Sequence, residues 1–349
     1  MNQVLIDRLV NALLYEGYLL YPYRPSVKNR HRWSFGGLYP PSYTTGRPGA
    51  DSSVMQTQCL LRTTAETGLT GSVRFLQVSE RQVGVFETPA QASGWPVAES
   101  IPFRFVESLR VGDVVLYAWQ EAIEREIHLG DIDLAELESG PRVIEFGFGP
   151  GVEREPVRDP TGAIVGFFER RQRRIEGRVE AAVEQVGEGL ARITVRIENR
   201  TAFDPGSADD REEVLLHTLA STHTCLGVVR GGGWVSLLDP PEALRELTAS
   251  CRNEGTWPVL VGDAGEVDTI LSSPIILYDY PQIAPESPGD LFDATEIDEI
   301  LTLRILTLSD EEKRSMALFD GRGRALLERT ESLARGELMG LHGTMRDAR

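Results

Sequence analysis

The histidine and cysteine residues in the second half of the chain could bind a metal ion or form a nucleophile. His217, His223 and Cys225 lie close together in the sequence, and Cys251 follows one segment later. Imidazole nitrogen and thiolate sulfur are the usual ligands of zinc, and a thiol beside a histidine base is the usual cysteine nucleophile. These four residues are therefore the candidate ligands for zinc or nickel, and His223 with Cys225 is the candidate pair for a Cys/His-dependent hydrolase.

The spacing of these residues does not decide whether their side chains meet. If residues 215–225 form a strand, His217, His223 and Cys225 share one face, whereas a helical first part would separate His217 from His223. The sequence EEVLLHTLA around His217 favours the helix, and the chain has no CxxC pair and no GxSxG motif. We therefore predict no cofactor, with buried thiols and hydrogen-bonded histidines, and keep the metal-binding protein or hydrolase as the alternative.

One carboxylate, Asp279, is the best single candidate for a catalytic group. It lies between Tyr278 and Tyr280 at the end of the apolar run SSPIILYDY. Most of the acidic residues that follow are explained by helix capping, beginning at Asp293. Asp279 has no such explanation, so we predict that it is a buried functional acid.

Aromatic and basic residues are concentrated in residues 15–43, which carry a formal charge of +3 in a chain of net charge −17. Tyrosine, tryptophan and arginine are the residues that most often anchor protein interfaces. The segment is either a strap packed on the acidic body of the protein or a site for another protein; single-stranded nucleic acid is a third alternative, which the overall charge disfavours. The predicted binding residues are Tyr18, Tyr21, Tyr23, Arg24, Lys28, Arg30, Arg32 and Trp33, together with Trp257, Tyr278 and Tyr280 from later segments.

The composition is typical of a soluble cytoplasmic protein. Hydrophobic residues make up 41% of the 349 residues, and no apolar run is long enough for a membrane span. The three cysteines are widely spaced, which argues against a disulfide framework, and the N-terminal sequence lacks the basic region of a secretory signal. We expect a cytoplasmic protein with a protein partner, no nucleic acid and no membrane span.

Hydrophobic periodicity predicts the elements that would position these residues. Residues 2–14 place apolar side chains on one helical face, and residues 71–87 are interpreted as two strands around a polar turn at 79–82. Residues 175–198 alternate apolar and polar side chains on both sides of the turn sequence VGEG. That pattern predicts an antiparallel hairpin with one buried face.

Glycines and charges suggest two further features of the chain. Residues 222–238 predict a second hairpin that turns through Gly231–Gly233, and the run ERRQRR at 169–174 predicts a strand with exposed, alternating charges. Capping patterns after residue 292 predict C-terminal helices.

These elements predict an α+β protein rich in β structure. It consists of an antiparallel β-sandwich or curved sheet and a mixed α/β module with C-terminal helices. The predicted division is an N-terminal helix and aromatic-basic strap at 1–50, an antiparallel β-rich domain at 51–206 and the mixed module with its helical tail at 207–349.

Two blocks of the sequence resemble an uncharacterised bacterial family associated with nickel-iron hydrogenase gene clusters. The first ends at Trp33 and reads LLYEGYLLYPYRPSVKNRHRW; the second begins at Cys251 with CRNEGTWPVLVG and continues through SSPIILYDYPQIAPESPGDLFDATEIDEILTLRILTL. The resemblance covers about a quarter of the chain. It implies an accessory or assembly role, with a hydrogenase subunit or accessory protein as partner.

The chain departs from the known hydrogenase proteins in the motifs that carry their chemistry. It lacks the paired CxxC motifs of the nickel-bearing subunit, the cysteine set of an iron–sulfur cluster and the P-loop of the nickel-inserting GTPase. We therefore expect a non-catalytic accessory, assembly or scaffold protein that acts by protein–protein contact.

Overall fold

The computed structural model describes residues 3–14, 36–45, 49, 51–90, 102–112, 114–204, 211–281, 313 and 327–328. The predicted binding residues from Tyr18 to Trp33 lie outside the described residues. The same holds for the proline-rich residues 282–292 and for most of the predicted C-terminal helices.

Strands form most of the described part of the chain. The strands are β1 Val54–Ala90, β2 Phe103–Val106, β3 Ser108–Val111, β4 Val114–Tyr117, β5 Trp119–His128, β6 Ile132–Asp133, β7 Arg142–Phe148, β8 Gly151–Arg158, β9 Ile164–Gln172, β10 Ile175–Gly187, β11 Leu190–Asn199, β12 Leu219–Trp234, β13 Trp257–Leu260 and β14 Thr269–Ser273. The α-helices are α1 Gln3–Leu14, α2 Pro41–Thr44, α3 Leu134–Ser139, α4 Arg211–Leu215 and α5 Arg245–Ala249, the last preceded by a 3₁₀ turn at Glu242–Leu244.

Twelve of these strands form one open antiparallel sheet, which confirms the prediction of a β-rich protein. Its main path runs β13-β14-β12-β1-β11-β10-β7, and β3 and β4 form a separate two-stranded sheet. Helices within the described residues are short apart from α1, so the α+β prediction is confirmed only in part. No helix in this part of the chain combines the length and hydrophobicity that a bilayer crossing requires.

Strand β1 is the centre of the sheet because it pairs along both of its edges. One edge pairs with β12 and then β9, and the other pairs in turn with β11, β6, β5 and β2. The prediction of two strands around a turn at 79–82 is therefore wrong. Ser79 and Arg81, which suggested a polar turn, are buried instead, and Arg81 is paired with Glu121 on β5 at 2.6 Å.

Strand β12 is also continuous where the glycines predicted a turn. Gly231 has a φ of +52°, and a Cβ there would lie 2.2 Å from Thr64 Oγ1 on β1. The β1–β12 register shifts between Thr63 and Gly68, opposite these glycines. The hairpin predicted at 222–238 is therefore wrong: the glycines form an irregularity where two backbones approach closely.

The hairpin at 175–198 and the N-terminal helix are both confirmed. Strands β10 and β11 pair in antiparallel register with Val179 opposite Ile197. On α1, Ile6, Leu9 and Leu13 are fully buried against the sheet. Strands from residues 51–206 and 207–349 are neighbours in the same sheet, and the division of the chain into three domains stays a prediction.

Candidate functional site

His223 lies inside the protein with both ring nitrogens engaged. Nδ1 is 2.8 Å from the carbonyl oxygen of Ser221, and Nε2 is 3.2 Å from Ser273 Oγ. Because a carbonyl only accepts hydrogen bonds, Nδ1 carries the proton and Nε2 accepts from the hydroxyl. Burial lowers the pKa of His223 to about 4. The imidazole is therefore neutral at pH 7, and neither nitrogen is left for a metal.

The other three candidate metal ligands have separate environments. Burial raises the pKa of the Cys225 thiol to about 12 and also raises the pKa of Cys251, so neither side chain is a thiolate at neutral pH. His217 follows the short helix α4, and its ring packs on Phe203 with centroids 5.2 Å apart. Across the described residues, no group of three or more His, Cys, Asp or Glu side chains could hold a metal ion.

Asp279 connects three segments of the chain. Its Oδ1 accepts a hydrogen bond from Leu260 N at 2.8 Å, and its Oδ2 accepts one from Ser236 Oγ. The next residue, Tyr280, donates its N–H to the carbonyl of Leu260 at 2.7 Å. The side chain is half-buried rather than buried. These contacts explain why an acid stands at this position, and they support a structural role; a catalytic role stays a prediction.

Replacing Asp279 with alanine is expected to lower the free energy of unfolding by about 2 kcal/mol. The substitution leaves the Leu260 N–H and the Ser236 hydroxyl without their acceptor. Asp239→Ala is the matched control, since that carboxylate is exposed. Urea unfolding of both variants measures the difference, and equal losses would show that the Asp279 contacts contribute nothing specific.

Large apolar side chains are exposed beside β13, at one edge of the sheet. Trp257 is 44%, Ile276 is 70% and Tyr278 is 81% exposed. Trp257 pairs with Ser273 at the end of β14, and the chain then returns to β13 where Tyr280 N contacts Leu260. We call Trp257, Ile276 and Tyr278 the β13 edge surface. Two of the predicted binding residues, Trp257 and Tyr278, belong to this surface.

The third predicted binding residue in this region, Tyr280, differs from its neighbours. It is half-buried and packs against the main core, and its backbone φ of +58° is uncommon for a residue with a bulky side chain. Tyr280 therefore helps to hold the segment in place, whereas the side chain of Tyr278 is exposed.

The charge run at 169–174 is not the exposed strand that the sequence predicted. Glu169 is fully buried, and its carboxylate accepts hydrogen bonds from Arg154 Nε on β8 and Arg171 Nε on β9. Alternation along β9 places Glu169 and Arg171 on one face and Arg170 on the other. The prediction of an exposed strand was wrong because Arg154 on β8 pairs with the carboxylate of Glu169. Without that partner, the carboxylate would need contact with water.

The opposite face of these strands carries a second charge network. Arg81 is 4% exposed and pairs with Glu121 Oε1 at 2.6 Å. Glu121 Oε2 is 2.7 Å from Arg170 Nε, and Arg170 Nη1 is 2.8 Å from Glu155 Oε2. The four side chains form a chain of alternating charge that leads from the interior to the surface. No local sequence signal indicated this network, because its members come from four strands.

The chain matches no protein-family model, and the curated proteins include none with significant similarity to it.

Proposed function

We propose that the protein is a non-catalytic accessory, assembly or scaffold protein that binds another protein through the β13 edge surface. The supporting observation is the exposure of three large apolar side chains on edge strand β13 and on the segment that returns to it, namely Trp257, Ile276 and Tyr278. Exposed aromatic and large aliphatic side chains that lie together are typical of protein interfaces, where tryptophan and tyrosine contribute most of the binding energy.

The charge of the sequence segment that carries the β13 edge surface indicates the chemistry of the partner. Residues 236–281 contain eight acidic and two basic residues, a formal charge of −6. Such a surface attracts a basic partner and repels an acidic one, so electrostatics selects the partner while the apolar side chains provide contact area. The partner is therefore a protein surface with apolar residues surrounded by lysine or arginine.

The sequence resemblance supplies a biological context for this proposal. It suggests a role in nickel-iron hydrogenase maturation or assembly, with a hydrogenase subunit or an accessory protein as the partner. The contact at the β13 edge surface is argued separately from that context, and it can be tested with whichever partner is found.

Purification of the tagged protein from its native host, followed by reconstitution with the purified partner, tests the proposal. We expect Tyr278→Ser to weaken binding by about 2 kcal/mol, roughly thirtyfold, because an exposed aromatic anchor is lost. Val143→Ser is the matched control, since Val143 is 41% exposed on β7 and lies outside the β13 edge surface. The partner dissociation constant is measured by titration calorimetry.

Two results would contradict the proposal. The first is a protein from which no stoichiometric partner can be isolated. The second is a partner that binds the Tyr278→Ser and Val143→Ser variants with equal affinity. Urea unfolding of both variants establishes that a change in affinity does not arise from loss of the fold.

A further inference from the structure

One buried carboxylate holds two arginine side chains on the face of the sheet formed by β2, β1, β9 and β8. Glu169 has no exposed surface, and each of its oxygens accepts a hydrogen bond from the Nε atom of one arginine, Arg154 or Arg171. Arg154 lies directly opposite Glu169 in the β8–β9 register. Because a guanidinium group is planar and rigid, a bond through Nε fixes the orientation of the whole group.

The terminal amino groups of these two arginines are unused within the described part of the chain. Neither Nη1 nor Nη2 of Arg154 and Arg171 has a hydrogen-bond partner within the described ranges, and the side chains are 29% and 38% exposed. Arg170 differs, since it uses Nε for Glu121 and Nη1 for Glu155. The unused donors have the fork geometry that binds a carboxylate through two parallel hydrogen bonds.

Aromatic rings further restrict both guanidinium groups. Arg154 lies over the rings of Phe103 and Phe167, 5.5 and 5.0 Å from their centroids, and Arg171 lies 5.6 Å from the centroid of Phe105. Phe167 itself packs over Gly84, where a Cβ would approach the ring to 2.4 Å. The two cations are therefore preorganised, which reduces the entropy that a ligand must overcome.

The other groups on this face limit the kind of ligand that fits. Glu80 lies opposite Arg171 in the register, and its Oε1 accepts a hydrogen bond from Gln82 Nε2 at 2.8 Å rather than from the arginine. Phe105 is 40% exposed next to Arg171, and Val152, which pairs with Arg171 across β8 and β9, is 64% exposed. A ligand at the arginines would therefore also contact apolar side chains.

We propose that Arg154 and Arg171 bind the carboxylates of an acidic peptide segment of a partner protein, with Phe105 and Val152 contacting apolar side chains of the same segment. This site is separate from the β13 edge surface and selects the opposite charge. It does not depend on the proposed function: a scaffold with both sites joins a basic partner to an acidic one, and either site can exist without the other.

A synthetic peptide in which glutamates flank a phenylalanine tests the site on the full-length protein. Its affinity is measured by fluorescence anisotropy for the wild type, Arg171→Gln and Arg171→Lys. Lysine keeps the positive charge beside Glu169 but lacks the planar fork, so it separates binding from folding. We expect affinity to fall about tenfold or more in both variants and for a peptide with glutamine in place of glutamate.

Arg196→Gln is the matched control, because Arg196 also pairs through Nε, with Glu198, and is 39% exposed elsewhere on the sheet. Its affinity for the peptide should equal that of the wild type. The proposal is overturned if Arg171→Lys binds like the wild type, if Arg196→Gln loses as much affinity as Arg171→Gln, or if the glutamine peptide binds equally well. Tighter binding of inorganic phosphate than of the peptide would overturn the peptide as the ligand.

Discussion

Glu121→Gln is expected to lower the free energy of unfolding by about 3 kcal/mol, because it removes a carboxylate charge that pairs with Arg81 inside the protein. Arg81 is 4% exposed and has Glu121 Oε1 at 2.6 Å and the carbonyl of Tyr117 at 3.2 Å. Burial lowers the pKa of Arg81, and the carboxylate of Glu121 opposes that effect. Glutamine keeps the shape of the side chain, removes the charge and replaces one of the two acceptor oxygens with an NH2 donor, so one of the bonds from Arg81 and Arg170 is also lost.

Glu155→Gln provides the comparison on the same network. Glu155 is 56% exposed and contacts Arg170 at 2.8 Å, so its ion pair is largely solvated. Its loss should cost less than about 1 kcal/mol. Urea unfolding of both variants at neutral pH gives the two values, and losses of equal size would show that the buried position of Arg81 does not govern the energy of the network.

The second large effect is an acid-dependent loss of stability caused by His223. An exposed histidine has a pKa of 6.5, and burial, reinforced by the nearby charge of Arg74, lowers the pKa of His223 to about 4. Between these values the unfolded chain binds a proton that the folded protein does not. The contribution of His223 is therefore complete above pH 6.5 and is lost as the pH falls to about 4, by roughly 3 kcal/mol.

The pH dependence of His223→Gln isolates this contribution. Glutamine has no titrating group in this range, and its amide oxygen can still accept the hydroxyl of Ser273. The free energy of unfolding of the wild type should fall more steeply than that of the variant between pH 6.5 and 4. The carboxylates titrate in both proteins and cancel in the difference. Parallel curves for the two proteins would contradict a buried neutral His223.

The parts of the fold that the sequence predicted correctly are those specified by short-range periodicity. Helix α1 packs one regular face on the sheet, and the β10–β11 hairpin, which is part of the sheet, buries one regular face in the main core, so both patterns are visible within a few residues. The polar residues at 79–82 suggested a turn because their partners are distant in the sequence; Arg81, for example, pairs with Glu121. The prediction of a turn at Gly231 was wrong for a related reason. Glycine is required both in a tight turn and where two strands approach closely, and at Gly231 the second case applies, because β1 lies against β12.

The candidate sites also depend on contacts between residues that are distant in the sequence. Asp279 stood out because no local pattern explained it, and its explanation lies in contacts with Leu260 and Ser236. Within ERRQRR, strand alternation separates Glu169 and Arg171 from Arg170, but it does not say which face is buried. That depends on Arg154 from β8, whose register with β9 no local pattern determines.

The contacts of Asp279 also determine how the sheet ends at β13. Pro258 has no backbone N–H, while the N–H and C=O of Leu260 are occupied by Asp279 and by the backbone of Tyr280. A strand from another copy of the chain therefore finds few main-chain groups there with which to extend the sheet. The protein can display Trp257, Ile276 and Tyr278 to a partner without also offering a template for aggregation. We infer that Asp279 protects against self-association as well as stabilising the fold.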